Sequence, residues 1–121
     1  VSTAQVQQTE AQFQAAVIDY ARALGWLVYH THDSRHSAAG FPDLVLVHRG
    51  ESTQTVPRNC RLVFAELKTQ KGRTSLAQAE WLEALGVVLA RGGAMLDQEP
   101  RSAVYLWRPS DWPEIERVLR R

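Results

Sequence analysis

The run Leu44-Val45-Leu46-Val47 constrains this chain more than any other feature. Four consecutive apolar residues in extended backbone place hydrocarbon on both faces of a strand, and such a strand needs cover on both sides. The sequence around it supplies that cover. Thr9-Glu10 reads as a helix start, and Phe13, Ala16, Val17, Tyr20, Ala21 and Leu24 recur at helical spacing. This predicts a helix over about 9–24, closed by Gly25. Trp26 to His30 reads as a strand, and Arg61 to Lys68 as another. The short spacing between Leu44–Val47 and Arg61–Lys68 makes the two strands natural antiparallel partners. Ser75 can cap a second helix, with Leu76, Ala79, Leu82 and Leu85 as its apolar stripe and Trp81 and Val88 beside it. Gly92-Gly93 ends that helix. Val104 to Trp107 reads as a late strand. A short final helix presents Trp112, Ile115, Val118 and Leu119, with Pro113 in its first turn. The order α-β-β-β-α-β-α predicts an α/β fold: a mixed sheet flanked by helices.

Composition limits what such a fold can do. The 121 residues suit one domain spanning 1–121. Apolar content of 45%, charged content of 22% and a formal charge of +1 are ordinary globular values. A nucleic-acid partner is neither demanded nor excluded by that charge, but it would need the cations gathered on one face. Cys60 is the single cysteine, so neither an intrachain disulfide nor a cysteine-based zinc site can form. No apolar run reaches membrane-spanning length, and the first eight residues lack the features of a signal peptide, so a cytoplasmic location is expected.

Three charged residues stand in unusual places. Asp43 directly precedes the apolar Leu44–Val47 run. Glu66 lies inside an apolar strand, and Lys68 follows two residues later, on the same face by strand periodicity. In a hairpin of these two strands Asp43 comes near Glu66. Carboxylates of this kind suit magnesium, which takes oxygen ligands and is held by one or two carboxylates together with substrate phosphate. The backbone carbonyl of Leu67 offers a further oxygen. Lys68 would add a compact positive charge for a phosphate in the transition state. Taken singly, these residues read more simply as a solvated ion pair, worth ~0–1 kcal/mol, and a turn aspartate after proline.

The combination is more specific. Gly40-Phe41-Pro42-Asp43, then Glu66-Leu67-Lys68, then Lys71-Gly72-Arg73-Thr74-Ser75-Leu76-Ala77-Gln78, with Glu10 and Gln14 on the first helix, resembles the VRR-NUC family of the PD-(D/E)xK nuclease superfamily. The resemblance runs from about Glu10 to Trp112. It implies a restriction-endonuclease-like sheet and a metal-dependent phosphodiesterase acting on DNA with Mg²⁺ or Mn²⁺. It further implies Asp43 and Glu66 as metal ligands, Lys68 as the catalytic lysine, Glu10 approaching the same centre, and Gln78 facing it from the second helix. Stand-alone members resemble Holliday-junction resolvases, which implies branched DNA as substrate and a homodimer.

Other residues have weaker signals. Glu10 in a first helical turn is also what the helix dipole favours. His30, His32 and His36 cluster with Asp33 and Arg35 at no closed zinc spacing; contact of His32 and Arg35 with DNA and a merely solvated loop fit equally. Lys71 and Arg73, with Arg58 and Arg61, would furnish the positive face DNA requires. Arg117, Arg120 and Arg121 suit a helix C-terminus and receive no function. The competing readings are a flap, nicking or restriction-like nuclease, a non-catalytic DNA-binding module on the same fold, and a structural subunit. The intact Asp43, Glu66 and Lys68 set argues against the DNA-binding module, and in the structural subunit Glu66 and Lys68 are only an ion pair.

Overall fold

The computed structural model describes residues 8–31, 38–50, 60–91 and 102–120. Its first helix, α1 (Glu10–Ala23), starts on a reciprocal cap: Thr9 Oγ1 accepts the Gln12 N–H at 3.1 Å, and Gln12 Oε1 accepts the Thr9 N–H at 3.0 Å. Two donors that would otherwise lack partners are thereby satisfied. The chain leaves the helix through Gly25 at φ 90, a conformation few other residues adopt without strain. Phe13, Val17, Ile18 and Ala21 make the buried stripe.

The sheet follows the expected order. Strands β1 (Leu27–His30), β2 (Leu44–His48) and β3 (Arg61–Leu67) run antiparallel in sequence, and β4 (Ser102–Trp107) adds parallel to β3. A parallel neighbour needs a crossover, and α2 (Leu76–Arg91) lies within that connection. A 3-10 turn, Pro109–Asp111, leads into α3 (Trp112–Leu119). The predicted order α-β-β-β-α-β-α, with a mixed sheet between helices, is therefore the observed one.

Leu44, Leu46, Val63, Ala65, Leu67 and Trp107 face α1 and α3 and form one core with Phe13, Val17, Ala21, Ile115, Val118 and Leu119. Trp112 meets Phe13 and Tyr20 edge-on at 6.1 and 5.9 Å, joining α3 to α1. On the opposite face α2 packs over β4, with Gly86 against Val104. That cover stops short of β2: Val45 is half-buried and Val47 exposed. The expectation that Leu44–Val47 is buried on both faces thus holds for one face only, because a single helix does not span four strands.

Two further expectations are corrected. The stripe on α2 is rotated: Leu76 is 92% exposed, and Ala79 and Val88 also face outward. The inward side carries Ala77, Gln78, Trp81, Leu82, Leu85 and Leu89. Apart from the exposed Glu80 and Glu83, the outward side of this helix is as apolar as the inward one, so hydropathy marks its rotation only weakly and polar contacts add to it. Arg61, assigned above to a positive surface, is buried. Its guanidinium lies 5.6 Å from the Trp26 ring centroid and donates to the Val118 carbonyl, while the Trp26 indole N–H donates to the Leu119 carbonyl at 2.9 Å. The two side chains satisfy the last carbonyls of α3, which cannot find partners within the helix. Arg58 lies outside the described residues.

Arg61→Met is therefore expected to lower unfolding stability by about 2 kcal/mol, the worth of a hydrogen bond from a charged donor to a buried acceptor. DNA affinity should not change at temperatures where the variant is folded. Weakened DNA binding with unchanged stability would return Arg61 to the surface role.

Candidate active site

The antiparallel register pairs Leu44 with Ala65, so Asp43 emerges beside Glu66 where β2 begins and β3 ends. Asp43 is held there by its own chemistry: its Oδ2 accepts the Leu67 N–H at 2.8 Å. The first turn of α1 brings Glu10 to the same place. One carboxylate oxygen from each of Glu10, Asp43 and Glu66 lies within 4.8 Å of the others. Glu10 is exposed, Asp43 half-buried and Glu66 only 1% exposed.

Glu66 is the centre of the arrangement. Its Oε2 accepts from Gln78 Nε2 at 2.9 Å and lies 3.5 Å from Lys68 Nζ. Its Oε1 is buried with no hydrogen-bond partner among the described residues. Burial and the neighbouring Asp43 charge raise the Glu66 pKa from 4.5 to about 7, against the opposing pull of Lys68. Among the described residues, three carboxylates face a single ammonium here. An unsatisfied buried oxygen in such a set is costly unless a proton or a cation meets it; the raised pKa of Glu66 expresses the first, and a bound ion would supply the second. The donors are all hard oxygens at the mutual separations that a divalent cation spans, so the residues fit such an ion.

Gln78 holds Glu66 by means of a helix cap. Ser75 Oγ accepts the Gln78 N–H at 3.1 Å, and Gln78 Oε1 accepts the Ser75 N–H at 2.8 Å. With its oxygen engaged by a backbone donor, the Gln78 amide can present only its NH₂ to Glu66. The Ser-x-x-Gln spacing was readable as a capping box, but its second bond to the carboxylate was not. The loop before Asp43 is fixed on the same helix turn. Gly40 has φ 88, and a Cβ there would stand 2.4 Å from the Ala77 carbonyl carbon. Trp81 Nε1 donates to the Ala39 carbonyl at 3.1 Å, and Phe41 packs edge-on between Trp81 and Phe64 at 5.0 and 6.1 Å. Trp81 and Phe41, read from sequence only as apolar residues, are thus the seat of the aspartate loop.

The structure brings Asp43, Glu66, Lys68, Glu10 and Gln78 together, as the sequence suggested. Gln14, one turn beyond Glu10, is half-buried. Lys71 and Arg73 are exposed on the turn between β3 and α2, close in sequence to Lys68. His32 and Arg35 lie outside the described residues.

A comparison with known families matches the VRR-NUC domain over residues 3–87. No curated protein and no solved structure matches the chain. The matched stretch carries Glu10, Asp43, Glu66, Lys68 and Gln78, and it ends inside α2.

Glu66 links the site to stability. Its folded pKa lies above the unfolded value, so the folded state binds the proton more tightly. The associated stability is complete below about 4.5 and is lost as pH rises through about 7. The loss reaches about 3 kcal/mol. In chelator, the melting temperature should fall over this range in the wild type and much less in Glu66→Gln. Added divalent cation should restore the wild type at high pH. A wild type and variant separated by the same amount at every pH would refute the burial argument.

Proposed function

The chain belongs to the VRR-NUC family of PD-(D/E)xK-like nucleases, and from that premise we propose that it is a divalent-metal-dependent endonuclease for branched DNA, with four-way junctions foremost. One observation carries the metal dependence: the buried Glu66 Oε1, without a hydrogen-bond partner among the described residues, within a cluster of three carboxylates beside a lysine. Asp43, Glu66 and the Leu67 carbonyl would hold Mg²⁺ or Mn²⁺, with Glu10 closing the set from α1. Such an ion supplies positive charge to the scissile phosphate and lowers the pKa of a water near it.

The rest of the reaction is the work of the chain's own groups. Hydrolysis adds a water oxygen to phosphorus and breaks the bond to the departing sugar oxygen. Lys68 offers three N–H donors, of which Glu66 engages one. The others can orient the attacking water and neutralise charge growing on the phosphate oxygens. Gln78 keeps the Glu66 carboxylate from rotating, and the Leu67 N–H does the same for Asp43. Both carboxylates therefore meet their ligand already oriented. The exposed Lys71 and Arg73, with His32 and Arg35, would contact the DNA backbone around the cut.

Branched substrate and dimer rest on the family resemblance: a two-fold dimer would present two active sites for paired incisions. The non-catalytic alternative would leave the three-carboxylate cluster as uncompensated charge. Selection for DNA binding alone favours cations, and gives no reason to keep it.

Labelled four-way junction, flap, nicked and linear duplex, incubated with Mg²⁺, Mn²⁺ or EDTA, test the reading. Cleavage should require the metal and favour the junction. Glu66→Gln and Lys68→Ala should each cut at least about 100-fold more slowly while still binding DNA. Binding without cleavage in either metal would instead identify a DNA-binding module. Preference for flap or linear duplex would replace the junction assignment, and a monomer in sedimentation would remove the dimer.

A further inference from the structure

Residues beyond the family match reach back to the site. The Lys68 N–H donates to the Trp107 carbonyl at 3.0 Å, one step past the last parallel pair of β3 and β4. The next residue, Arg108, turns over the end of the sheet. Its Nη1 donates to the carbonyls of Thr69 and Gly72, each at 2.7 Å, and more distantly to that of Gln70 at 3.4 Å. A second staple lies beside it: Gln70 Nε2 donates to Ser110 Oγ at 2.9 Å, and the Ser110 N–H donates to Gln70 Oε1 at 3.1 Å. Arg108 is itself anchored, since its backbone N–H donates to Asp111 Oδ2 at 2.8 Å.

The turn so gripped lies against Lys68. The Gly72 N–H donates to the Thr69 carbonyl at 3.2 Å, which folds the chain back on itself. A Cβ on Gly72 would stand 3.0 Å from Thr69 Oγ1 and 3.5 Å from Lys68 Cδ. The Lys68 stem thus passes beside the Gly72 position, within the space that a side chain there would touch. A guanidinium is suited to this task because it is always charged, rigid and rich in donors, and several converging carbonyls are what it can satisfy at once.

We propose that Arg108 is a positioning residue for cleavage: by holding the Thr69–Gly72 turn it fixes the segment that follows Lys68 and lies beside its side chain. The proposal rests on the nuclease reading, in which Lys68 meets the phosphate. Arg108 acts through Lys68 and does not touch substrate.

The sequence provides a direct readout. Lys68 and Lys71 are the only lysines in the chain. Lys68 is 12% exposed, whereas Lys71 is exposed. An amine-acylating reagent with mass-spectrometric readout therefore reports Lys68 shielding against an internal control, with no need for activity. In Arg108→Gln, acylation of Lys68 should rise toward that of Lys71. Single-turnover cleavage should fall about 10- to 100-fold, the scale of a misplaced catalytic group, with DNA affinity in Ca²⁺ nearly unchanged. In a Lys68→Ala background the Arg108 substitution should have little further effect, because the group it positions is gone. A merely structural arginine would give equal losses in both backgrounds.

Gln70→Ala, at an exposed position, tests the same turn without threatening the fold, and should move both readouts the same way by a few-fold. Unchanged Lys68 labelling in both variants overturns the proposal, as does increased labelling with full cleavage. If the wild type cuts no DNA, or Lys68→Ala cuts normally, the functional reading fails and the role in cleavage falls with it. Labelling still decides whether Arg108 holds Lys68.

Discussion

A buried carboxylate oxygen without a donor is the constraint around which this molecule is organised. Glu66 sits in the sheet at 1% exposure, with Oε1 unsatisfied among the described residues and Asp43 beside it. The surrounding structure does little to relieve that cost and much to keep the group aimed. Gln78 and Lys68 both engage Oε2, leaving Oε1 for something else. A fold optimised for stability alone would have placed a hydrocarbon at position 66, since apolar replacement of buried charge is often neutral or stabilising. A carboxylate held there from two directions fits the proposed function, in which a site gives up stability for a cation it would bind.

The same economy joins the helices to the chemistry. The Ser75–Gln78 cap satisfies the start of α2 and orients Glu66 in one motif. Gly40 lets the aspartate loop lie on that helix turn, and Trp81 ties the loop's Ala39 carbonyl to the helix. Asp43 and Glu66 are therefore referenced to one rigid object, the first turn of α2, although they come from different strands. Precise mutual placement of ligands requires this kind of common support, because each independent loop would add its own positional error.

Much of this was legible in the sequence, for identifiable reasons. Strand periodicity put Glu66 and Lys68 on one face, and the ion pair at 3.5 Å agrees. The hairpin placed Asp43 beside them, because antiparallel pairing of neighbouring runs leaves little freedom of register. The rotation of α2 was hidden. Ala77, Trp81 and Leu85 on one side and Leu76, Ala84 and Val88 on the other are all apolar, so the exposed Glu80 and Glu83 mark only part of the outside. Two polar bonds from Gln78 and a steric contact at Gly40 decide the rotation, and neither registers in a hydropathy pattern. Arg61 was misread for the converse reason. A charge at a strand end looks like a surface residue, and only the tertiary fold shows the α3 carbonyl it serves.

Topology explains why the end of β3 that carries Glu66 and Lys68 is held by residues so distant in sequence. β3 is an inner strand with β2 antiparallel on one side and β4 parallel on the other. An antiparallel partner arrives through a direct connection; a parallel one arrives only after a crossover. The chain must therefore build α2 before it can complete the other edge of β3. α2 also carries Gln78, so the helix required by connectivity became the helix that orients Glu66. When β4 then returns, it ends level with Leu67, and its continuation falls over the turn that follows Lys68. A sheet that alternated hairpins throughout would place a neighbouring turn at this position, and neither a helix start nor the Arg108 segment would reach it. The mixed sheet is thus more than a scaffold: its single parallel step delivers two separate parts of the chain to the end of β3 where the carboxylates and lysine meet.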